Sequence, residues 1–261
     1  VRIVSICPSN TEIIAYLDRV HLLVGVDNYS DYPPQVERLP KLGPDLSIDI
    51  EKVAELQPDL VLASLSVPGM EKNIEGLDEY GLPYIILNPN SIYEISEDIR
   101  RVGKAIGIEA EANSKAHTFI LEIEKFKARA EQSGDKPSLY WEWWPKPVFT
   151  PGGLNWLTEI SELAGAYNIF RDENTASFQT DWEDVKRRDP DHICMVWVGV
   201  KEEKMNTDLI RKRPGWDELT AVKQDRIHVL EESLFCRPSP RLLVGLRKIE
   251  EIIRNEKGNP S

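Results

Sequence analysis

Cysteine, histidine and positive charge are all scarce in this chain, and each scarcity removes a class of function. The three cysteines, Cys7, Cys194 and Cys236, lack the even count and the spacing of a disulfide framework or a zinc site. The four histidines, His21, His117, His192 and His228, are scattered, so no metal site of converging His and carboxylate groups is expected. Acidic residues outnumber basic ones by 44 to 32, leaving a net charge of −12. A field of that sign repels phosphate backbones and excludes a nucleic-acid partner. It suits a partner with a basic face, although acidity also serves solubility alone. No apolar run approaches the roughly 18 residues that a bilayer span requires. Nucleophile motifs, a Walker loop and a His-Glu zinc signature are missing too, so neither catalysis nor a catalytic cofactor is expected.

No leader pattern stands at the start of the sequence as given. The chain opens on a strand pattern, Val1-Arg-Ile-Val-Ser-Ile6, with no charged n-region, h-region or lipoprotein cysteine. Two expectations follow: an extracytoplasmic or membrane-anchored protein whose leader was removed, or a cytoplasmic one whose chain starts here.

What is present describes a folded α/β protein. At 261 residues the chain can bury a large core as one large domain or two modest ones. Continuous apolar strands are predicted at Arg2–Ile6, Leu23–Val26, Leu60–Ala63 and Tyr84–Leu87, then at Ser138–Trp141, Ile193–Val198 and Ile227–Leu230. Helical patterns separate them, near Thr11–Leu17, Ile50–Leu56, Lys72–Tyr80 and Ile92–Ile106, then Asn155–Ala164, Trp182–Arg188, Thr207–Arg211 and Arg241–Arg254. That alternation predicts mainly parallel sheets covered on both faces. Ser9-Asn-Thr-Glu12 reads as a capping box, and Ser91 and Ser239 as helix caps.

A longer segment, Ala110–Gln132, carries Ala116, Phe119, Ile120, Ile123, Phe126 and Ala130 at helical spacing. As one helix it is a rod of roughly 34 Å. On either side of it lies a repeat. Asp49-Ile-Glu-Lys-Val53, Pro58-Asp59 and an apolar run match Asp181-Trp-Glu-Asp-Val185, Pro190-Asp191 and an apolar run at one constant offset. The predicted organisation is an N-terminal α/β lobe over residues 1–108, a connecting helix over 109–133 and a C-terminal α/β lobe over 134–261.

Several segments carry a family resemblance. Val4-Ser-Ile-Cys-Pro-Ser-Asn-Thr-Glu12, Val24-Gly-Val-Asp-Asn-Tyr-Ser-Asp-Tyr-Pro-Pro-Gln35 and Leu56-Gln-Pro-Asp-Leu-Val-Leu-Ala63 lie in the first lobe. Phe149-Thr-Pro-Gly152, Gly165-Ala-Tyr-Asn-Ile-Phe170, Arg213-Pro-Gly-Trp216 and Arg237-Pro-Ser-Pro-Arg241 follow in the second. Together they resemble the cobalamin-binding branch of the class III, helical-backbone solute-binding proteins of ABC importers. The resemblance implies two Rossmann-like lobes joined by a single long backbone helix, with a ligand cleft between the lobes and only small closure motions. It also implies one glutamate on each lobe that docks on a membrane permease. Glu71 matches the first; at the second position stands Cys236, and nearby Glu231 and Glu232 are the substitutes. The family's tryptophans at the positions of Ser64 and Leu234 are likewise absent.

Open α/β sheets bind ligands beyond the C-terminal ends of their strands, and aromatic residues gather there. Tyr29 and Tyr32 follow a first-lobe strand; Trp143 and Trp144 follow the first strand of the second lobe, and Trp197 ends the next. Their faces suit a large ring, although some can simply pack the core. Strand alternation puts Tyr140, Glu142 and Trp144 on one face and Trp141 and Trp143 on the other, so one of the latter pair is expected to be buried. Cys7, Pro8 and Ser9 start a helix whose N–H groups suit an amide, carboxylate or phosphate. Cys7 reads as a pocket wall, with a reactive thiol or soft metal ligand as alternatives. Ser64, Phe235 and Arg237 complete the expected ligand set, and the other carboxylates read as solvated surface.

The expected protein is a monomeric ABC-importer receptor for cobalamin or a related corrinoid, with a permease partner if exported. The alternatives are a haem or ferric-siderophore receptor of the same fold, and a leaderless cytoplasmic protein that sequesters a corrinoid.

Overall fold

A computed structural model describes residues 1–257. The elements run β1 (Ile3–Ser5), α1 (Pro8–Tyr16), β2 (Leu23–Val26), α2 (Ile50–Glu55), β3 (Leu60–Ser64), α3 (Glu71–Glu79), β4 (Tyr84–Leu87), α4 (Glu94–Ala105) and α5 (Glu109–Glu131). They continue with β5 (Ser138–Glu142), β6 (Trp144–Pro145), β7 (Val148–Pro151), α6 (Trp156–Leu163), β8 (Tyr167–Asn168), β9 (Ser177–Thr180), α7 (Trp182–Arg188) and β10 (His192–Met195). The last are α8 (Asp208–Arg211), α9 (Thr220–Lys223), β11 (Ile227–Val229), α10 (Glu232–Phe235) and α11 (Leu242–Lys257). Contacts divide the chain into unit 1, residues 1–89 and 93–120, and unit 2, residues 90–92 and 121–261, so the division falls within α5.

Unit 1 is a four-stranded parallel sheet in the order β2-β1-β3-β4. Its strands are short apolar runs because both faces are covered. Val4, Ile6, Val53, Val61, Ala63 and Leu77 form one buried cluster on it. Unit 2 has a parallel sheet in the order β11-β10-β5-β8 and an added antiparallel sheet, β6-β7-β9. Read from the opposite edge, its parallel strands stand second, first, third and fourth in chain order, as they do in unit 1. The repeat in the sequence therefore marks a repeated topology.

The repeated residues also do the same work in each copy. Asp49 and Asp181 are the N-caps of α2 and α7, each accepting the backbone N–H three residues on. Val53 and Val185 are fully buried. Gln57 and Asp189, at matching positions just past those helices, both hold left-handed backbone, with φ of 48° and 42°. Asp59 then accepts the N–H of Arg2 at the entry to β1, and Asp191 that of Ser138 at the start of β5, at 2.7 and 2.8 Å. Each aspartate thus ties the incoming third strand of its sheet to the first.

The 23-residue helix α5 carries the predicted apolar stripe. Its first part buries Ala112, Ala116 and Phe119 in unit 1, and its last part buries Ile123, Phe126 and Ala130 in unit 2.

Two predicted caps are corrected. Ser9 is not the N-cap of α1. Cys7 holds that position, and Pro8 starts the helix because its ring fixes a helical φ and its missing N–H needs no partner there. Ser91 does not cap α4 either: its Oγ donates to Glu159 at 2.7 Å, and Tyr93 precedes the helix. Ser239 does accept the Arg241 N–H, at 3.2 Å, ahead of α11.

Candidate functional site

In both parallel sheets the chain leaves the first strand toward one side for the second and crosses to the other side for the third. The gap between first and third strands is where strand order reverses, and loops at its C-terminal edge diverge to leave space for a ligand. The predicted site residues fall at that edge in each unit.

In unit 1, β1 leads into Cys7, Pro8 and Ser9, and β3 ends on Ser64; all four are buried. The Cys7 and Ser9 side chains meet at 3.3 Å. Burial pushes the Cys7 thiol up to about 11, chiefly by desolvation and further through Asp27, so it stays protonated at neutral pH. A raised thiol disfavours the thiolate that nucleophilic chemistry needs.

The loop after β2 is held by a buried polar chain that sequence reading missed. Asp27 accepts the N–H groups of Tyr29 and Ser30, at 2.7 and 3.0 Å, and the Ser30 hydroxyl. Ser30 meets Thr11, and Thr11 donates to Ser5, at 2.7 and 2.8 Å. Desolvation raises the Asp27 carboxyl above its ordinary value, against the pull of its Ser30 and Tyr29 hydrogen bonds. From this anchored turn Tyr29 and Tyr32 stand exposed at 54% and 40%, large aromatic surfaces left in water.

In unit 2 the chain bends at Trp143 and passes from β5 into β6. Tyr140, Glu142 and Trp144 do lie on one side. The Tyr140 hydroxyl donates to Glu142, Trp197 Nε1 donates to Glu142 at 3.0 Å, and the Trp197 and Trp144 rings pack at 6.3 Å. Trp144 is 43% exposed, while Trp143 and Trp197 are half-buried. On the opposite side Trp141 is fully buried against Phe235, its Nε1 donating to Ser161.

Two expectations fail here. Phe235 is wholly buried against Trp141, so its ring is core rather than a ligand contact. Glu142 is no solvated carboxylate: it is fully buried and paired with Arg213 through bonds of 2.6 and 2.7 Å. Arg213 in turn lies over the rings of Trp182 and Trp216, at 4.7 and 4.4 Å. Trp182 also lines an open groove of about 710 Å³ with Pro145, Pro147, Gln179 and Glu183.

Arg237 is buried and sits 3.6 Å from Glu232. The Cys236 thiol is raised well above its ordinary value, first by desolvation of the sulfur although the residue as a whole is only half-buried. Of the expected docking acids, Glu71 heads α3 in an exposed position and accepts the Gly69 N–H, while Glu231 pairs with Lys248.

Residues 3–234 match the family model described as periplasmic binding protein. The chain belongs to that family. Its members are substrate-binding transport proteins rather than enzymes, and they carry their ligands as cargo, so this chain is an ABC-type substrate-binding protein with a small-molecule ligand and a permease partner. It is 31% identical to an uncharacterized ABC transporter substrate-binding lipoprotein, YvrC, of Bacillus subtilis, over 97% of this chain and 79% of that one. Among solved structures it is similar to the periplasmic vitamin B12 binding protein BtuF of Vibrio cholerae, with a TM-score of 0.80, 25% identity and coverage of 99% and 98%. The periplasmic haem-binding protein RhuT of Roseiflexus is similar at a TM-score of 0.84 and 25% identity, over 96% and 97%. The fold is that of the class III substrate-binding proteins, as the sequence resemblance implied.

Proposed function

We propose that this chain is the extracytoplasmic receptor of an ABC importer and that its ligand is a cobalamin or a related corrinoid. The observation that carries the reading is the aromatic wall of unit 2, where Trp144 and Trp197 pack at 6.3 Å at the end of the sheet and Trp144 keeps 43% of its surface in water. Exposed indole faces fixed on strand ends bury wide, flat area at little conformational cost, which suits a macrocycle with bulky substituents. Tyr29 and Tyr32 give the corresponding edge of unit 1 the same character. Cys7, Pro8, Ser9, Ser64, Trp143 and Arg237 complete the proposed contacts. Glu71, Glu231 and Glu232 are the proposed docking groups for the permease.

Haem is the second reading, favoured by the likeness to a haem-binding protein at the same identity as to the B12 binder. Titrating the protein with cyanocobalamin, haemin and ferrichrome while following tryptophan fluorescence separates the two. Saturable quenching that is tightest for cyanocobalamin supports the corrinoid. Haemin binding at least tenfold tighter transfers the assignment to haem, and no quenching by any of the three removes both.

A further inference from the structure

Glu142 and Arg213 form the most completely buried ion pair described in unit 2, with side chains 0% and 3% exposed. Neither side chain offers a polar group to solvent. Such a pair is a poor source of stability, because desolvating both charges offsets most of their attraction, and apolar residues of similar volume serve as well. The carboxylate nevertheless receives four donors: Tyr140 Oη at 2.7 Å, Arg213 Nη1 and Nη2 at 2.6 and 2.7 Å, and Trp197 Nε1 at 3.0 Å. Arg213 is itself held between the Trp182 and Trp216 rings. An apolar pair would fill this volume but could not accept the Trp197 N–H.

The backbone beyond that indole is tied by the Val198 N–H to the Trp143 carbonyl and by the Val200 N–H to the Trp197 carbonyl, at 3.1 Å each, which fixes the main chain and leaves the ring's own orientation to its side-chain contacts. Val198 and Gly199 are exposed, and Gly199 holds a left-handed φ of 74°. Trp197 is half-buried, one part of it packed on the buried cluster of unit 2 and the rest exposed. The hydrogen bond to Glu142 holds the Nε1 edge of the indole, and the Trp144 ring packs on the same indole.

We propose that Glu142, oriented by Arg213, is a positioning residue that sets the ring of Trp197 before ligand arrives. Preorganising a contact surface raises affinity by lowering the ordering cost of binding, without the positioning group touching the ligand. The proposal rests on the reading that Trp197 meets the ligand, and its test is arranged to fail separately from that reading.

The test replaces the ion pair by an apolar one, Glu142→Leu with Arg213→Met, which leaves no lone buried charge. Three readouts are taken: the melting temperature, the 19F spectrum of 5-fluorotryptophan-labelled protein without ligand, and the affinity for cyanocobalamin. The Trp197 line, assigned through Trp197→Phe, is expected to be single and narrow in the parent and shifted or broadened in the variant. Affinity is expected to fall roughly tenfold, at a melting temperature lowered to the extent that the buried Tyr140 hydroxyl loses its acceptor. In the Trp197→Phe background the same double substitution is expected to change affinity by less than about twofold, because the partner it acts through is gone. An unchanged Trp197 line in the folded variant overturns the proposal, as does an equal affinity loss in the Phe background. If the double variant does not fold, Trp197→Phe alone, which keeps a ring but loses the N–H, decides on affinity: a loss supports the proposal and no change overturns it. Retained cyanocobalamin affinity in Trp197→Ala instead removes the ligand reading, while the 19F result still stands or falls on its own.

Discussion

His192 Nδ1 and His228 Nε2 lie 3.1 Å apart at neighbouring positions of β10 and β11, with their rings stacked at 5.3 Å. Burial holds both imidazoles down to about 4; His228 lowers His192 further, Arg226 lowers both, and Asp191 and Asp225 pull the other way. The fold therefore holds the neutral forms. A depressed histidine leaves stability intact above its ordinary value near 6.5, and that stability is lost as pH falls toward 4. Thermal melts from pH 7 to pH 4 should show this loss. His228→Gln, which can still hydrogen-bond His192 but does not titrate, should reduce it by about 1–2 kcal/mol.

Asp98 on α4 works in the opposite sense. Its carboxyl is buried; Oδ1 takes Arg101 at 2.9 Å, and Oδ2 has no partner among the described residues. Desolvation raises it to about 6; Arg101 pulls it down, and Glu94 and Glu97 push it up. An acid whose folded value is raised costs stability as pH climbs from its ordinary range through that value. Asp98→Asn should stabilise unit 1 by about 1–2 kcal/mol at pH 7.5 and flatten its pH dependence between 4 and 6. A lower melting temperature at pH 7.5 would contradict this.

The two strand-tying aspartates should differ in weight. Asp191 accepts both the N–H and the hydroxyl of Ser138, and its own N–H donates back to Ser138 Oγ at 2.9 Å. Asp59 is more exposed and bonds the Arg2 N–H. Chemical denaturation should show Asp191→Ala costing about 1.5–3 kcal/mol and Asp59→Ala about half of that. Equal costs would mean that burial does not set their contribution.

The repeat was legible because its signals are local. A cap aspartate, a buried valine, a Pro-Asp turn and a continuous apolar strand each follow from short-range chemistry, and both copies keep all of them. The antiparallel sheet β6-β7-β9 was not legible. Its strands span two to four residues, β6 and β7 each include a proline, and such runs look like loop. The Glu142–Arg213 pair escaped for a different reason. A charged residue after an apolar strand is normally solvated, and only the long-range approach of Arg213, 71 residues away, makes burial tolerable. The burial of Phe235 was not legible because sequence alone does not show which face of the short helix α10 it occupies.

The indoles at the sheet edge of unit 2 are proposed as the contact surface for a large ring ligand. Isothermal titration calorimetry of cyanocobalamin into the protein, repeated at several temperatures, tests this most directly. One ligand per chain and a negative heat-capacity change from apolar burial are expected, with affinity falling by about 1–3 kcal/mol in Trp197→Ala. No saturable heat, or equal affinity in the parent and in Trp197→Ala, would contradict it.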